Sequence, residues 1–139
     1  MSQLAESTAL IIEDDPDLVQ IFSQALTLSG YQTHPVSDGN QALEWLAEFV
    51  PDVVVLDLHL PGVSGRTILG KIRGDGRLAN TRIILATADH LTADELRDSA
   101  DLVLLKPISF KQLRDLSSRL RQKRNATDHD TTTQQPQNP

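Results

Sequence analysis

The sequence predicts an α/β fold in which one five-stranded parallel sheet carries helices on both faces. Three observations predict it. Short runs of Ile, Val, Leu and Ala alternate with stretches of helical spacing from residue 9 onward, and such alternation builds a parallel sheet. The runs are unbroken rather than alternating with polar residues, as in strands buried on both faces. The clearest of them, Val53-Val54-Val55-Leu56, runs straight into a carboxylate, Asp57. The carboxyl end of such a strand is where open α/β sheets bind ligands.

The elements follow in order. Residues 1–7 are a polar lead-in, and Ala9–Ile12 is the first strand. Glu13-Asp14-Asp15 comes next, and Asp15-Pro16 reads as an N-cap with proline at the first helical position. Leu18, Val19, Phe22, Ala25 and Leu26 recur at helical spacing, and Gly30 closes that helix. Tyr31–Val36 is the second strand, which Pro35 confines to an edge of the sheet. Ser37-Asp38-Gly39 turns into a helix with Ala42, Leu43, Leu46 and Phe49 on one face. The third strand spans residues 53–58.

Past Asp57, Pro61-Gly62-Val63-Ser64-Gly65 is a loop, and a helix of about two turns directs Ile68, Leu69 and Ile72 inward. Gly74-Asp75-Gly76 breaks it. Arg82–Ala86 is the fourth strand, ending at Thr87. Thr92 and Glu95 form a capping box that opens a short helix. Leu102–Leu105 is the fifth strand, ending at Lys106-Pro107. Ser109 and Gln112 form a second capping box, before an apolar stripe of Phe110, Leu113, Leu116 and Leu120. From about residue 123 the chain turns to Asn, Thr, Gln and Pro, the composition of a disordered tail or linker. The flavodoxin-like strand order 2-1-3-4-5 puts the proline-bearing strand on an edge, where it fits.

Composition narrows the function. At 139 residues the chain fits one domain that buries roughly two-thirds of its unfolded surface. Without cysteine it has no disulfide framework or thiolate metal site. No apolar run approaches the roughly 20 residues of a membrane span, and the first residues lack the pattern of a signal peptide. A cytoplasmic location is therefore the expectation. A net charge of −6 disfavours direct binding of nucleic acid. The basic residues Arg119, Arg121, Lys123 and Arg124 read as favourable charge at a helix C-terminus.

With that order, the first and third strands are neighbours, about 4.8 Å apart. Glu13, Asp14 and Asp57 then crowd one rim of the sheet, and like charges so close raise one another's pKa. A hard divalent cation relieves the repulsion, and Mg2+ suits few carboxylates with a phosphate to come. The bland reading makes Glu13–Asp15 a set of helix caps. It leaves Asp57, Thr87 and Lys106 unexplained, although each also falls at the carboxyl end of a strand. Lys106 starts about 10 Å from Asp57 by strand spacing, a gap that a long side chain can bridge to stabilise a carboxylate or a phosphoryl group. Thr87 can donate a hydroxyl hydrogen bond to a phosphoryl oxygen.

Glu13-Asp14, Asp57, Thr87-Ala88 and Lys106-Pro107, each after its strand, resemble the receiver domain of two-component response regulators. Asp57-Leu58-His59-Leu60-Pro61-Gly62-Val63-Ser64-Gly65 is similar to that family's phosphorylation loop. The resemblance covers residues 8–122. It implies that Asp57 accepts a phosphoryl group from a sensor histidine kinase or a histidine phosphotransfer protein. It implies Mg2+ bound by Asp14 and Asp57, by Glu13 through water, and by the backbone carbonyl of His59. For the His59 side chain, beside three carboxylates, a solvent-facing ring is preferred over a ring nitrogen as a metal ligand. It implies that Thr87 and Lys106 contact the phosphoryl group, that the Lys106-Pro107 bond is cis, and that the protein catalyses only its own phosphorylation and dephosphorylation. A monomer or weak homodimer is expected.

Two features depart from the family. Val103 stands where receivers usually carry Tyr or Phe, and the interval from Thr87 to Lys106 is shorter than usual. The competing reading is a receiver-like interaction module not controlled by phosphorylation. A flavodoxin-type cofactor binder is disfavoured, because Glu13-Asp14-Asp15 would repel a flavin phosphate. A dehalogenase-type phosphatase would need an aspartate where His59 stands.

Overall fold

A computed structural model describes residues 7–120. Most of the lead-in, the tail from residue 123, and Arg121, Lys123 and Arg124 lie outside the described residues. Five strands, β1 (Ser7–Ile12), β2 (Tyr31–Val36), β3 (Val53–Asp57), β4 (Arg82–Thr87) and β5 (Leu102–Leu105), form one parallel sheet in the order β2-β1-β3-β4-β5. Between them run α1 (Pro16–Leu28), α2 (Gly39–Glu48), α3 (Gly65–Arg73) and α4 (His90–Leu96). A fifth helix, α5, occupies residues 110–120.

Strand periodicity divides the core in two. Leu10, Ile12, Val54, Leu56, Ile83 and Leu85 project to the face covered by α2 and α3, against Ala42, Leu46, Ile68 and Ile72. Ala9, Ile11, Val53, Val55, Ile84 and Ala86 project to the other face, against Phe22, Ala25 and Leu26 of α1 and Leu113 of α5. Both faces are dry over Ala9–Ile12 of β1, Val53–Leu56 of β3 and Ile83–Ala86 of β4, so past their first residues no polar side chain interrupts these strands until their carboxyl ends. Fully burying one such aliphatic side chain contributes about 1.5–3 kcal/mol, and the three strands are fixed accordingly.

Pro35 occupies an edge position that needs no donor. The carbonyl of Val36 accepts the Glu13 N–H at 3.1 Å, so Val36 faces β1 and its neighbour Pro35 faces away. A residue without an N–H there leaves no orphan donor on the free edge.

The caps follow local chemistry with one exception. Asp15 accepts the Asp17 N–H at 2.9 Å, and Ser109 and Gln112 exchange hydrogen bonds as a capping box, at 3.0 and 3.4 Å. Gly30, after the α1 C-cap Ser29, takes φ of 98°, a left-handed conformation that favours glycine. The exception is α4. Its N-cap is Asp89, which accepts from the N–H groups of Leu91 and Thr92, so Thr92 lies inside the helix. The expected Thr92–Glu95 capping box is wrong because Asp89 sits closer to the strand end, and Glu95 instead pairs with Arg66 across to α3 at 2.7 Å.

Two further expectations need correction. Phe49 is half-exposed at 51%, because α2 ends at Glu48 and Phe49 leaves its buried face as an extended C-cap. Strand β1 begins at Ser7, ahead of the expected Ala9, because Ser7 and Thr8 pair in register with Tyr31 and Gln32. The Asp52 carboxylate also accepts the Thr8 N–H at 2.7 Å.

Candidate functional site

Three strand ends and one loop supply the site. β1 delivers Glu13 and Asp14, β3 delivers Asp57, β4 delivers Thr87, and the residue after β5 is Lys106. Carboxylate oxygens of Glu13, Asp14 and Asp57 all lie within 4.8 Å of one another. Glu13 and Asp57 are buried, at 1% and 4% exposure, and Asp14 is open to solvent.

The backbone aims these groups. Gly65, at the start of α3, packs so tightly on the end of β3 that a Cβ there would lie 2.7 Å from the Asp57 carbonyl oxygen and 2.6 Å from the Leu58 Cα. Only glycine permits that approach, and it sets α3 directly behind Asp57. The Asp57 carboxylate accepts the His59 N–H at 3.0 Å, which fixes its rotamer. The His59 side chain is exposed and its ring takes no part in the carboxylate cluster.

Lys106 answers the charge. Its ammonium donates to Glu13 Oε1 at 3.2 Å and lies 3.6 Å from Asp57 Oδ2, so the side chain spans the width of β4 to reach β3. The Lys106-Pro107 bond is cis, and the Lys106 N–H donates to the Thr87 carbonyl at 2.8 Å. Thr87 is fully buried, and its hydroxyl accepts the Asp89 N–H at 3.1 Å. Val103 is half-buried and packs against the core on the α2–α3 side.

One ammonium does not balance three carboxylates. Burial, and then the Asp57 charge, push the Glu13 carboxyl up to about 7; the Lys106 ammonium and the Asp15 N–H pull the other way without offsetting them. Glu13 thus holds its proton more tightly folded than unfolded. Its contribution to stability is full below about 4.5 and is lost as the pH rises through about 7. In metal-free protein, Glu13→Gln is expected to flatten this decline, which is on the order of 3 kcal/mol, in urea titrations across that range. An equal slope in the two proteins would contradict this reading.

The donor set fits a hard divalent cation. All three groups offer carboxylate oxygens, two are buried with insufficient countercharge, and the third opens to water. Sequence reasoning did not find the Arg66–Glu95 bridge between α3 and α4, whose partners are far apart in the chain and carry no local signal.

Residues 9–118 match the model of the response regulator receiver domain. The chain belongs to the response regulator receiver family. It is 36% identical over 107 residues to the DNA-binding response regulator MtrA of Mycolicibacterium smegmatis, covering 75% of this chain and 46% of MtrA. It therefore spans about half the length of that curated relative. The receiver domain of Francisella response regulator 1452 superposes with a TM-score of 0.74 at 26% identity, covering 85% of this chain and 98% of that one. The BeF3-activated receiver domain of DrrB, a Thermotoga maritima protein, gives 0.75 at 25% identity over 85% of this chain and 99% of its own. Among the described residues, no helix of this receiver is long and apolar enough to cross a membrane.

Proposed function

We propose that this receiver is a phosphorylation-dependent switch in a two-component phosphorelay, with Asp57 as the phosphoryl acceptor. The single observation that carries this is the convergence of Glu13, Asp14 and Asp57, with Lys106 reaching Asp57 from two strands away. The donor is a phosphohistidine on a sensor histidine kinase or a histidine phosphotransfer protein. A carboxylate oxygen of Asp57 attacks phosphorus, the new O–P bond forms, and the P–N bond breaks with its electron pair returning to the imidazole. Hydrolysis of the resulting mixed anhydride releases inorganic phosphate and restores the carboxylate, which makes the signal transient.

Mg2+ is the proposed cation, held by Asp14 and Asp57, with Glu13 in support and the His59 backbone carbonyl as a further ligand. When bound, it supplies positive charge to the phosphoryl oxygens and to the carboxylates. The chain's own groups do the rest. The His59 N–H orients Asp57, and Lys106 offsets charge on the carboxylate and then on the phosphoryl group. The complete acidic and lysine set argues against an interaction module independent of phosphorylation.

The switch is read through Thr87. Its hydroxyl now accepts the Asp89 N–H, and Asp89 in turn caps α4 and accepts the Thr92 hydroxyl at 2.7 Å. A phosphoryl group on Asp57, carrying about two negative charges, accepts the Thr87 O–H and pulls the hydroxyl oxygen away from the Asp89 N–H. Drawing it inward frees the Asp89 N–H and loosens the first turn of α4. With Val103 in the usual aromatic position, this cap is the route by which the change leaves the site, as a shift between two populations.

Incubation with a small-molecule phosphoryl donor, read by intact mass, tests the proposal. One added phosphoryl group is expected with Mg2+ and none when the metal is chelated. Absence of uptake under both conditions, and from a phosphohistidine protein, would overturn it.

A further inference from the structure

The outer wall of the sheet carries a feature that the phosphoryl chemistry does not use. Between β2 and α2 lies an open groove of about 460 Å3, lined by His34, Trp45, Phe49, Gln41, Glu44 and Glu48 among others. His34 stacks on Trp45 at 5.3 Å between ring centroids, and Trp45 meets Phe49 at 4.9 Å. This row of three rings stands at the surface of a chain whose aromatic content is only 4%.

The charges beside the rings run against the local rules of helix stability. Glu44 and Glu48 are spaced four residues apart on α2, where like charges repel. Glu48 also sits in the last turn, which has no basic residue and where the helix dipole disfavours an anion. Neither carboxylate has an ion-pair partner among the described residues. Trp45 and Phe49 repeat the same spacing one residue on, so an acidic ridge and an aromatic ridge run side by side.

We propose that this groove is a docking site for an arginine-bearing segment of a partner protein. A guanidinium lays its plane on an aromatic face while its edge donates to carboxylates. Phe49, at the end of the ring row and half-exposed, and the two carboxylates line the same groove, and the arriving cation relieves both repulsions within α2. The groove also runs on into a second one of about 410 Å3 that shares Pro35, Val36 and Gln41 and reaches Glu13 and Asp14. A segment seated on Trp45 therefore holds its protein beside the acidic rim.

Trp45 is the only tryptophan in the chain, so its fluorescence reports this groove alone. The full 139-residue chain is titrated with a capped peptide of two arginines separated by glycine, and with the same peptide carrying glutamates. A saturable change with the arginine peptide only is expected, weakened roughly ten-fold in the Glu44→Gln, Glu48→Gln double variant. An Asp94→Asn, Asp98→Asn variant, with the same change in net charge on another surface, is expected to match the wild type. No saturable change at millimolar peptide, an equal response to the acidic peptide, or equal weakening in both double variants would overturn the proposal. None of these outcomes bears on Asp57, because uptake from a small-molecule donor does not require the groove.

Discussion

Asp57→Ala is expected to abolish phosphoryl uptake from a small-molecule donor in the presence of Mg2+, with no residual modified species by intact mass. No other carboxylate in the site can take over. Glu13 is buried and occupied by Lys106 and by the Asp15 N–H, and Asp14 lacks the ammonium that lies against Asp57. The variant should nevertheless fold. Removing one of three crowded carboxylates relieves repulsion on Glu13, whose proton affinity the Asp57 charge helps to raise. Its thermal midpoint is therefore expected to equal or exceed that of the metal-free wild type. A variant that still gains one phosphoryl group, or one that fails to fold, would contradict this description of the site.

Lys106→Ala is expected to produce the opposite pattern, loss of stability with retention of the metal. Glu13 and Asp57 would lose the only cationic side chain that the described residues bring within ion-pair distance of either. Both carboxylates are nearly inaccessible to water, and removing one partner of a buried ion pair costs about 3–5 kcal/mol. Mg2+ should restore much of that loss, because without the ammonium the carboxylates present more uncompensated negative charge to a cation. Denaturant titrations with and without Mg2+ measure both effects. The phosphorylated variant should show little of the conformational response of the wild type, since the charge that draws the new anion across β4 is gone. Unchanged metal-free stability together with a full response would remove Lys106 from the account.

Much of this is legible in the sequence, for identifiable reasons. The β1, β3 and β4 runs are dry on both faces, so their sequence carries an unbroken apolar signal, and the polar residue that ends each one falls at the rim where the site forms. Pro35 announced an edge, and the structure puts β2 there. What escaped the sequence depends on contacts between distant segments or on the last turn of a helix. Glu95 looked like half of a capping box until Arg66, on another helix, proved to be its partner. Phe49 kept the helical spacing of α2, yet the helix stops one residue before it and the ring turns outward. The Asp57–Gly65 approach is invisible locally, because a glycine in a loop gives no hint of which backbone it must admit.

The absent aromatic at Val103 bears on how the signal travels. In this chain the Thr87 hydroxyl is already engaged by the N–H of the residue that caps α4. Asp89 links site and helix, donating its N–H to Thr87 and accepting from Leu91 and Thr92 of α4, without a ring that must rotate. The Arg66–Glu95 bridge ties the other end of α4 to α3, and α3 itself abuts Asp57 through Gly65. Both ends of α4 are thus connected to the residue that is to be modified.

The central claim is that Asp57 carries the phosphoryl group as a mixed anhydride, and its position can be read directly. Borohydride reduces an acyl phosphate on aspartate to homoserine, releasing phosphate, and peptide mass spectrometry of the reduced protein locates the change. Conversion of residue 57 alone, dependent on Mg2+ during the phosphorylation step, is the predicted result. Conversion at Asp14 or Glu13, or a phosphoryl group that resists borohydride and maps to a serine, threonine or histidine, would contradict it.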